Sequence, residues 1–560
     1  MKFILENNNV FLVEVPANKE IRAEIKDTYK ARWNNQIGDY KSGGYLFSKL
    51  YMRLILERRL KFIYDDCEIE SAVVNHFKPV KADAYKLNLS NHFNNNTFAW
   101  QRKIIYLAFF NKTYLLALDT GLGKTVVGLE LFWQFLKANP DKKGVIIAPF
   151  QTIHNAWLTD VKKLYKGKFS CISTWDTDVA EKLRKIRSEA QLYIMNHDGL
   201  NSKYFEELMT RQGSKLDFII YDESSSLKQK SLDRPGTAIK MLLKYKYNFT
   251  YKYLLSGNPA PNTPLEWYPQ MQFIDDRILG NIESAYYNYY FHKNPYNSWK
   301  YIIDNGELRL GGKLEELMTD IKQKAIFVSK TQVQNLPPQK RVIVNYSLDN
   351  RQIKHYNEMN TELRTIIGNR AINTEFALAK AIKLREITRG FIFDNEGTER
   401  LISAKPYQEL QKLIKLTNIA QETFIIWIDF QFEARVIASL LRKMGITYEI
   451  INSTTPQKKQ PFIIRDFRAG KFNCLIAHPD SISHGVRLET CHQAIFFSRN
   501  YSDDNYQQAE DRIHRFGQEE TCIYFIFQAL NTIDKNIDDV LRKKRQYSEF
   551  SLKMIERQIV

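Results

Sequence analysis

The string "DTGLGKT", Asp119 to Thr125, sits between the apolar run "TYLLAL" and the amphipathic stretch "TVVGLELFWQFLKAN". A strand, a glycine-containing turn ending in Gly-Lys-Thr and a helix make a phosphate cradle. Gly121 and Gly123 let backbone N–H groups approach a phosphate chain, Lys124 reaches the outer phosphates, and Thr125 binds magnesium, all at a positive helix N-terminus. About a hundred residues on, "LDFIIYDESSSLK" sets Asp222 and Glu223 at the end of a buried-looking strand. Alone these would be surface acids. Beyond a phosphate loop in the same sheet, Asp222 reads as a magnesium partner and Glu223 as the base that orients and deprotonates the attacking water.

Three further stretches belong with these. "TFAWQRK" puts Gln101 just before the first strand, where its amide could read the edge of an adenine. "YLLSGNPAPN" ends a strand in the polar turn Ser256-Gly257-Asn258-Pro259, which could sense a γ-phosphate. In "QAEDRIHRFGQ", Gln508, Arg512 and Arg515 are spaced at i, i+4 and i+7 and share a face if the segment is helical. Its bland alternative is a solvated face with an Asp511–Arg515 ion pair.

These chemistries need parallel sheets to position them. From Phe98 to about residue 275, short apolar runs alternate with amphipathic stretches, the pattern of a parallel sheet buried on both faces. Alternation resumes after Pro337 and Pro338 with "TFIIWIDF", "NCLIAHP", "QAIFFS" and "TCIYFIFQAL". The expected domains are an accessory domain over 1–97 that could contact DNA, a first lobe over 98–275, a mostly helical insertion and linker over 276–340, and a second lobe over 341–560. The first 97 residues mix short strand-like runs with the basic helical segment "FSKLYMRLILERRLKFIY".

The chain has 560 residues, 44% of them hydrophobic and 13% aromatic, which is enough for several cores. Lys and Arg number 81 against 63 Asp and Glu, a formal charge of +18 spread along the chain. Such an excess favours a polyanionic partner, although an AT-rich genome also inflates Lys. The five cysteines are scattered, without metal-ligand spacing, and no run approaches the ~18 apolar residues of a membrane span. A reducing, cytoplasmic compartment is expected, with no membrane partner.

In this order the strings resemble the motifs of superfamily 2 helicase-type motors of the Swi/Snf-related group, most nearly those of bacteriophages. "DTGLGKT" matches the first motif, "YDESSSLK" the second, "LLSGNPAPN" the third, "AHPDSISHGVRLE" the fifth and "QAEDRIHRFGQ" the sixth, while "TIDKNI" resembles the segment closing the second lobe. The resemblance implies an α/β fold of two RecA-like parallel-sheet lobes in tandem, preceded by a small N-terminal α+β domain. It also implies ATP and Mg2+ as cofactors and hydrolysis driven by duplex or forked DNA, in a prokaryotic host cell if phage-encoded. Gln101 is then the adenine contact, Asp119, Thr120, Gly121, Leu122, Gly123, Lys124 and Thr125 hold the nucleotide together with Gly485, and Thr125 and Asp222 bind magnesium. Lys124, Asp222, Glu223, Arg512 and Arg515 are the catalytic set. Ser224 and Ser225 stand where the family has Ala and His, Asn258 where it has Thr, and Arg487 where it has Asn, which touches the coupling of hydrolysis to movement. An RNA-directed helicase, a motor subunit of a restriction or defence assembly, and a scaffold with a decayed ATPase are the alternatives. The monomer is the simplest assembly state.

Overall fold

β-Branched and aromatic runs of three to eight residues, too short for helices and bounded by Gly, Asn or charged residues, make the strands of both main sheets. The computed structural model describes the chain apart from residues 35–36, 38–43, 58–61, 63–66, 78–92, 95–96, 201–202, 228–236, 295–296, 303–312, 334, 363, 368–369, 374–376, 395, 457–458, 483–485 and 557–560. It divides into two units, Met1–Ser329 with Tyr547–Val560, and Lys330–Gln546.

The N-terminal part of the first unit is a five-stranded sheet of β1 (Lys2–Glu6), β2 (Asn9–Val13), β3 (Arg32–Asn34), β4 (Gly44–Phe47) and β5 (Glu68–Ile69) in the order β3-β4-β2-β1-β5. Only the β1–β5 pairing is parallel. This α+β element is not a free-standing body. Phe3, Leu12, Phe47 and Leu50 share one continuous apolar core with Leu115, Met271 and Leu279 of the lobe that follows. Buried charges bolt the two together. Lys49 on the helix Lys49–Leu56 donates to Asp276 at 2.8 Å, and Arg53, one turn on, grips Asp320 with two hydrogen bonds of 3.0 and 2.9 Å. Breaking such a buried pair costs roughly 3–5 kcal/mol because the partner charge is stranded.

The first lobe is a seven-stranded, wholly parallel sheet. β6 (Thr113–Leu118), β7 (Lys143–Ala148), β8 (Cys171–Ser173), β9 (Leu192–Asn196), β10 (Leu216–Asp222) and β11 (Tyr251–Ser256) come first; a hairpin of β12 (His292–Asn294) and β13 (Asn297–Ile302) follows, then β14 (Ala325–Val328). The order is β14-β6-β11-β10-β7-β9-β8. β14 corrects the expected insertion over 276–340. Its four residues "AIFV" are all buried and pair with β6, so a strand of the lobe lies inside the supposed linker. Lysines and polar residues on both sides hide so short an apolar run.

The second unit carries a six-stranded parallel sheet of β15 (Gln339–Tyr346), β20 (Phe424–Trp427), β21 (Tyr448–Ile451), β22 (Cys474–Ala477), β23 (Gln493–Phe496) and β24 (Cys522–Ala529), ordered β15-β24-β23-β20-β22-β21. Two hairpins, β16 (Arg364–Ile367) with β17 (Arg370–Asn373) and β18 (Phe391–Phe393) with β19 (Glu399–Leu401), fall between its first two strands. The unit begins at Lys330, not 341, and Tyr547–Val560 packs with the first unit, where Tyr547 and Leu552 join its core. The end of the helix Ile533–Ile555 thus leaves the lobe the sequence assigns it to, because its apolar residues belong to the first unit's core. Among the described residues no helix is long and apolar enough to cross a membrane.

Glu433 is a stability sensor within the second unit. Its carboxylate is fully buried; Oε2 accepts from Ser498 Oγ at 2.6 Å and from the N–H groups of Asp429 and Phe430, while Oε1 has no hydrogen-bond partner among the described residues. Burial pushes its pKa up to about 7. The folded state therefore holds this proton where the unfolded chain has lost it, and folding stability falls as pH rises from about 4.5 to 7. Replacing Glu433 by Gln keeps the acceptor for Ser498 without the buried charge. The expected result, from urea titrations, is an unfolding free energy near wild type at pH 5 and higher than wild type at pH 8 by on the order of 3 kcal/mol.

Candidate nucleotide site and arginine pair

β6 ends at Leu118 and the chain turns through Asp119–Gly123 into the helix Lys124–Ala138. The turn requires glycine. Gly121 has φ 92° and Gly123 φ 77°, values that a side chain resists. A Cβ on Gly123 would also lie 2.8 Å from the Gln101 amide nitrogen. Lys124 Nζ donates to Leu118 O at 3.4 Å across the loop.

In the sheet, β11 lies between β6 and β10, so three segments leave one edge side by side: the loop after β6, Ser256-Gly257 after β11, and Asp222-Glu223 after β10. A Cβ on Gly257 would stand 3.5 Å from Lys124 Nζ and 3.6 Å from Thr120 Oγ1. The third string thus runs along the lysine and loop of the first. This is the carboxyl edge, where open α/β sheets bind ligands.

Asp222 is buried, with Oδ2 accepting from Trp157 Nε1 at 3.0 Å and Oδ1 from the Glu223 N–H at 3.0 Å. Burial, with Glu223 beside it, pushes its pKa up to about 7; Lys124 opposes that rise. Glu223 has left-handed backbone at φ 54°, ψ 57°. Such strain in a non-glycine residue costs of order 1–3 kcal/mol and gathers at functional sites. Carboxylate and hydroxyl oxygens are the hard donors magnesium takes, so the buried Asp222 and the half-buried Thr125 suit that ion.

The structure adds residues that the motifs do not announce. Trp157, fully buried in a π-helical turn, reaches Asp222 because Gly128 leaves room; a Cβ there would meet the indole at 2.7 Å. His197 hydrogen-bonds Asp222 O at 2.9 Å and stacks on Tyr221. Ser224, the first departure from the family pattern, donates to Gln270 Oε1 at 2.7 Å, and Gln270 donates to Pro259 O at 2.7 Å, so the second and third strings are joined through a buried amide. Asn258 donates to Ser548 Oγ at 2.7 Å. A lone Trp, His or Gln carries no periodic signal, so Trp157, His197 and Gln270 could not be picked out beforehand, whereas Ser224 and Asn258 stand out as departures from the family pattern.

Gln101, the expected adenine contact, stands against the phosphate loop. It is 2% exposed; its Oε1 accepts from the Phe98 N–H at 3.0 Å and its Nε2 donates to Leu122 O at 3.0 Å. The amide caps its helix and holds the phosphate loop.

In the second unit the helix Asp503–Ile513 stops before Arg515, so the shared helical face predicted for Gln508, Arg512 and Arg515 is not formed. Gly517, at φ 98°, follows in the turn that breaks it. The bland ion pair is also replaced: Asp511 pairs with Lys330. Arg512, 5% exposed, donates to Ile482 O at 3.0 Å, and Arg515, 8% exposed, to Val486 O at 3.3 Å. The fifth and sixth strings are therefore stitched together. Burial and the neighbouring Arg515 lower the Arg512 pKa to about 10; burial and Arg487 lower that of Arg515. Gly485 lies outside the described residues.

The SNF2-related domain model matches residues 56–391, and the helicase conserved C-terminal domain model matches 406–517. Protein p41 of Acyrthosiphon pisum secondary endosymbiont phage 1 is 23% identical over 78% of this chain and 94% of its own. The Drosophila melanogaster SWI/SNF-related matrix-associated actin-dependent regulator of chromatin subfamily A-like protein 1 is 26% identical over 76% of this chain and 52% of its own. The DNA repair and recombination protein RDH54 of Saccharomyces cerevisiae (strain YJM789) is 21% identical over 76% and 49%. The chain spans nearly all of the phage relative and about half the length of the two eukaryotic ones. With well over half its residues matched by the first model, the chain belongs to the SNF2-related family and is a helicase-type ATPase.

Proposed function

We propose that this ATPase is a DNA translocase or helicase-like motor that hydrolyses ATP on binding duplex or forked DNA. The observation that carries the reading is the single sheet edge on which the phosphate loop, the Ser256-Gly257 turn and the Asp222-Glu223 pair meet around Lys124. In this reading, backbone N–H groups of Gly121 to Thr125 cradle the triphosphate and Lys124 neutralises its outer oxygens. Thr125 and Asp222 hold magnesium, which when bound polarises the phosphoryl oxygens. Glu223 takes the proton of the attacking water as its oxygen bonds to the γ-phosphorus and ADP leaves. Arg512 and Arg515, presented by the second unit, meet the charge that builds on the γ-phosphoryl group.

DNA as the track is supported by the +18 charge and by relatives named for chromatin regulation and DNA repair. Duplex affinity is expected to fall log-linearly with salt, by a slope of about 0.9 for each phosphate neutralised. Fluorescence anisotropy of a labelled duplex from low to physiological salt measures it, with an RNA duplex in parallel. A flat DNA profile, or tighter binding to RNA at every salt concentration, contradicts the assignment.

A further inference from the structure

We infer that Arg487 is a third phosphate-binding arginine, which grips the phosphate chain of the nucleotide beside Arg512 and Arg515 and raises the affinity of this motor for ATP. The inference rests on the reading of Arg512 and Arg515 as the arginines that meet the γ-phosphoryl group, and it extends that site by one residue.

Arg487 belongs to "SHGVRLE", at the position where the family pattern has Asn, so this chain places a charge where the pattern carries an amide. The backbone on either side of it is fixed. Val486 O accepts from Arg515 Nη1 at 3.3 Å, and the Leu488 N–H donates to Arg512 O at 2.9 Å. Farther on, Glu489 O and Cys491 O accept from Gln518 Nε2 at 3.1 and 2.9 Å. Through its two neighbours Arg487 is thus strapped to both arginines of the sixth string. Its own side chain is exposed, and among the described residues it makes no hydrogen bond or ion pair.

The charges around it do not balance. The cation that most opposes the Arg515 guanidinium is Arg487, ahead of Arg468. Glu489 and Asp511 offset part of that repulsion, yet Glu489 is bonded to Arg468 at 2.8 Å and Asp511 is paired with Lys330. Three arginines are left with the exposed Asp480. A solvated surface arginine is commonplace; this one is set against a guanidinium that is only 8% exposed, and it repels it. Arginine presents a planar fork that matches two phosphate oxygens, and a triphosphate brings the negative charges that the cluster lacks. Anchoring divides the labour. Arg512 and Arg515 are held by backbone oxygens to meet charge that develops during reaction, whereas an untethered guanidinium follows the phosphate before and during reaction alike. Such uniform binding acts on KM and spares kcat.

The test is steady-state ATP hydrolysis at saturating duplex DNA by the full chain and by Arg487→Asn, Arg487→Lys and Arg515→Ala, with duplex affinity and melting temperature measured for each. Arg487→Asn is expected to raise KM for ATP about tenfold, the worth of one charge-assisted hydrogen bond, with kcat within a few-fold of wild type. Arg487→Lys, which keeps the charge and loses the fork, falls between the two. The melting temperature of Arg487→Asn stays at or above that of wild type, because only repulsion is removed. An unchanged KM in Arg487→Asn overturns the inference, and so does a melting temperature that falls together with activity, which marks a structural role. A duplex affinity that drops while KM holds also overturns it, since the arginine then belongs to the DNA backbone. If Arg515→Ala keeps its turnover, the reading of the arginine pair fails and this inference falls with it; a silent Arg487→Asn beside an inactive Arg515→Ala sinks the inference alone.

Discussion

Replacing Arg515 by Ala is expected to lower DNA-stimulated turnover by about 10³-fold or more while leaving ATP binding nearly intact. The reason lies in where the charge is kept. Arg515 and Arg512 are both buried and anchored to the backbone oxygens of Val486 and Ile482, and each has its pKa lowered by burial and by an adjacent arginine. Like charges held out of water are costly, and the nearby acids Asp480, Asp511 and Glu489 offset only part of that cost. Charge so placed is worth most against an oxyanion that forms only during reaction, so its loss should appear in kcat and not in the binding of ATP. Phosphate release under saturating DNA, with ATP binding followed by a fluorescent analogue, separates the two. Turnover within a few-fold of wild type would remove Arg515 from the reaction.

The second large effect is expected from Glu223→Gln, which keeps size and hydrogen-bonding shape and removes the base. A positioned general base contributes about 10² to 10⁴ in rate, and that factor should be lost from kcat with ATP still bound. The backbone supports this reading of Glu223 over its neighbour. Asp222 is enclosed by Trp157 and by the Glu223 N–H, whereas Glu223 sits in a left-handed conformation that turns its side chain out of the strand direction. Rapid-quench measurement of the first turnover checks this, and an unchanged chemical step would assign the proton transfer elsewhere.

Much of this organisation could be read from the chain. "TYLLAL", "LDFIIYDE" and "YKYLLSG" are strands β6, β10 and β11, because continuous apolar runs next to a phosphate loop leave few alternatives to a buried parallel sheet. Both parallel sheets follow from the same alternation. What escaped was settled by tertiary packing. β14 is four apolar residues among lysines, and Tyr547, Leu552 and Ile555 follow continuously from the second lobe yet join the core of the first unit. Helical spacing carried the expectation for Arg515 past the end of the helix at Ile513. Gln101 shows the limit of a motif: its position before the loop was legible, but that its amide bonds the Phe98 N–H and Leu122 O depends on the path of the backbone.

Phosphate release by the full-length wild-type chain, with magnesium and ATP, in the presence and absence of duplex DNA, tests the central claim most directly. The account predicts slow basal hydrolysis that duplex or forked DNA raises by at least about tenfold and that Lys124→Ala abolishes in both conditions. A rate that DNA leaves unchanged, or one that survives the loss of Lys124, would contradict it.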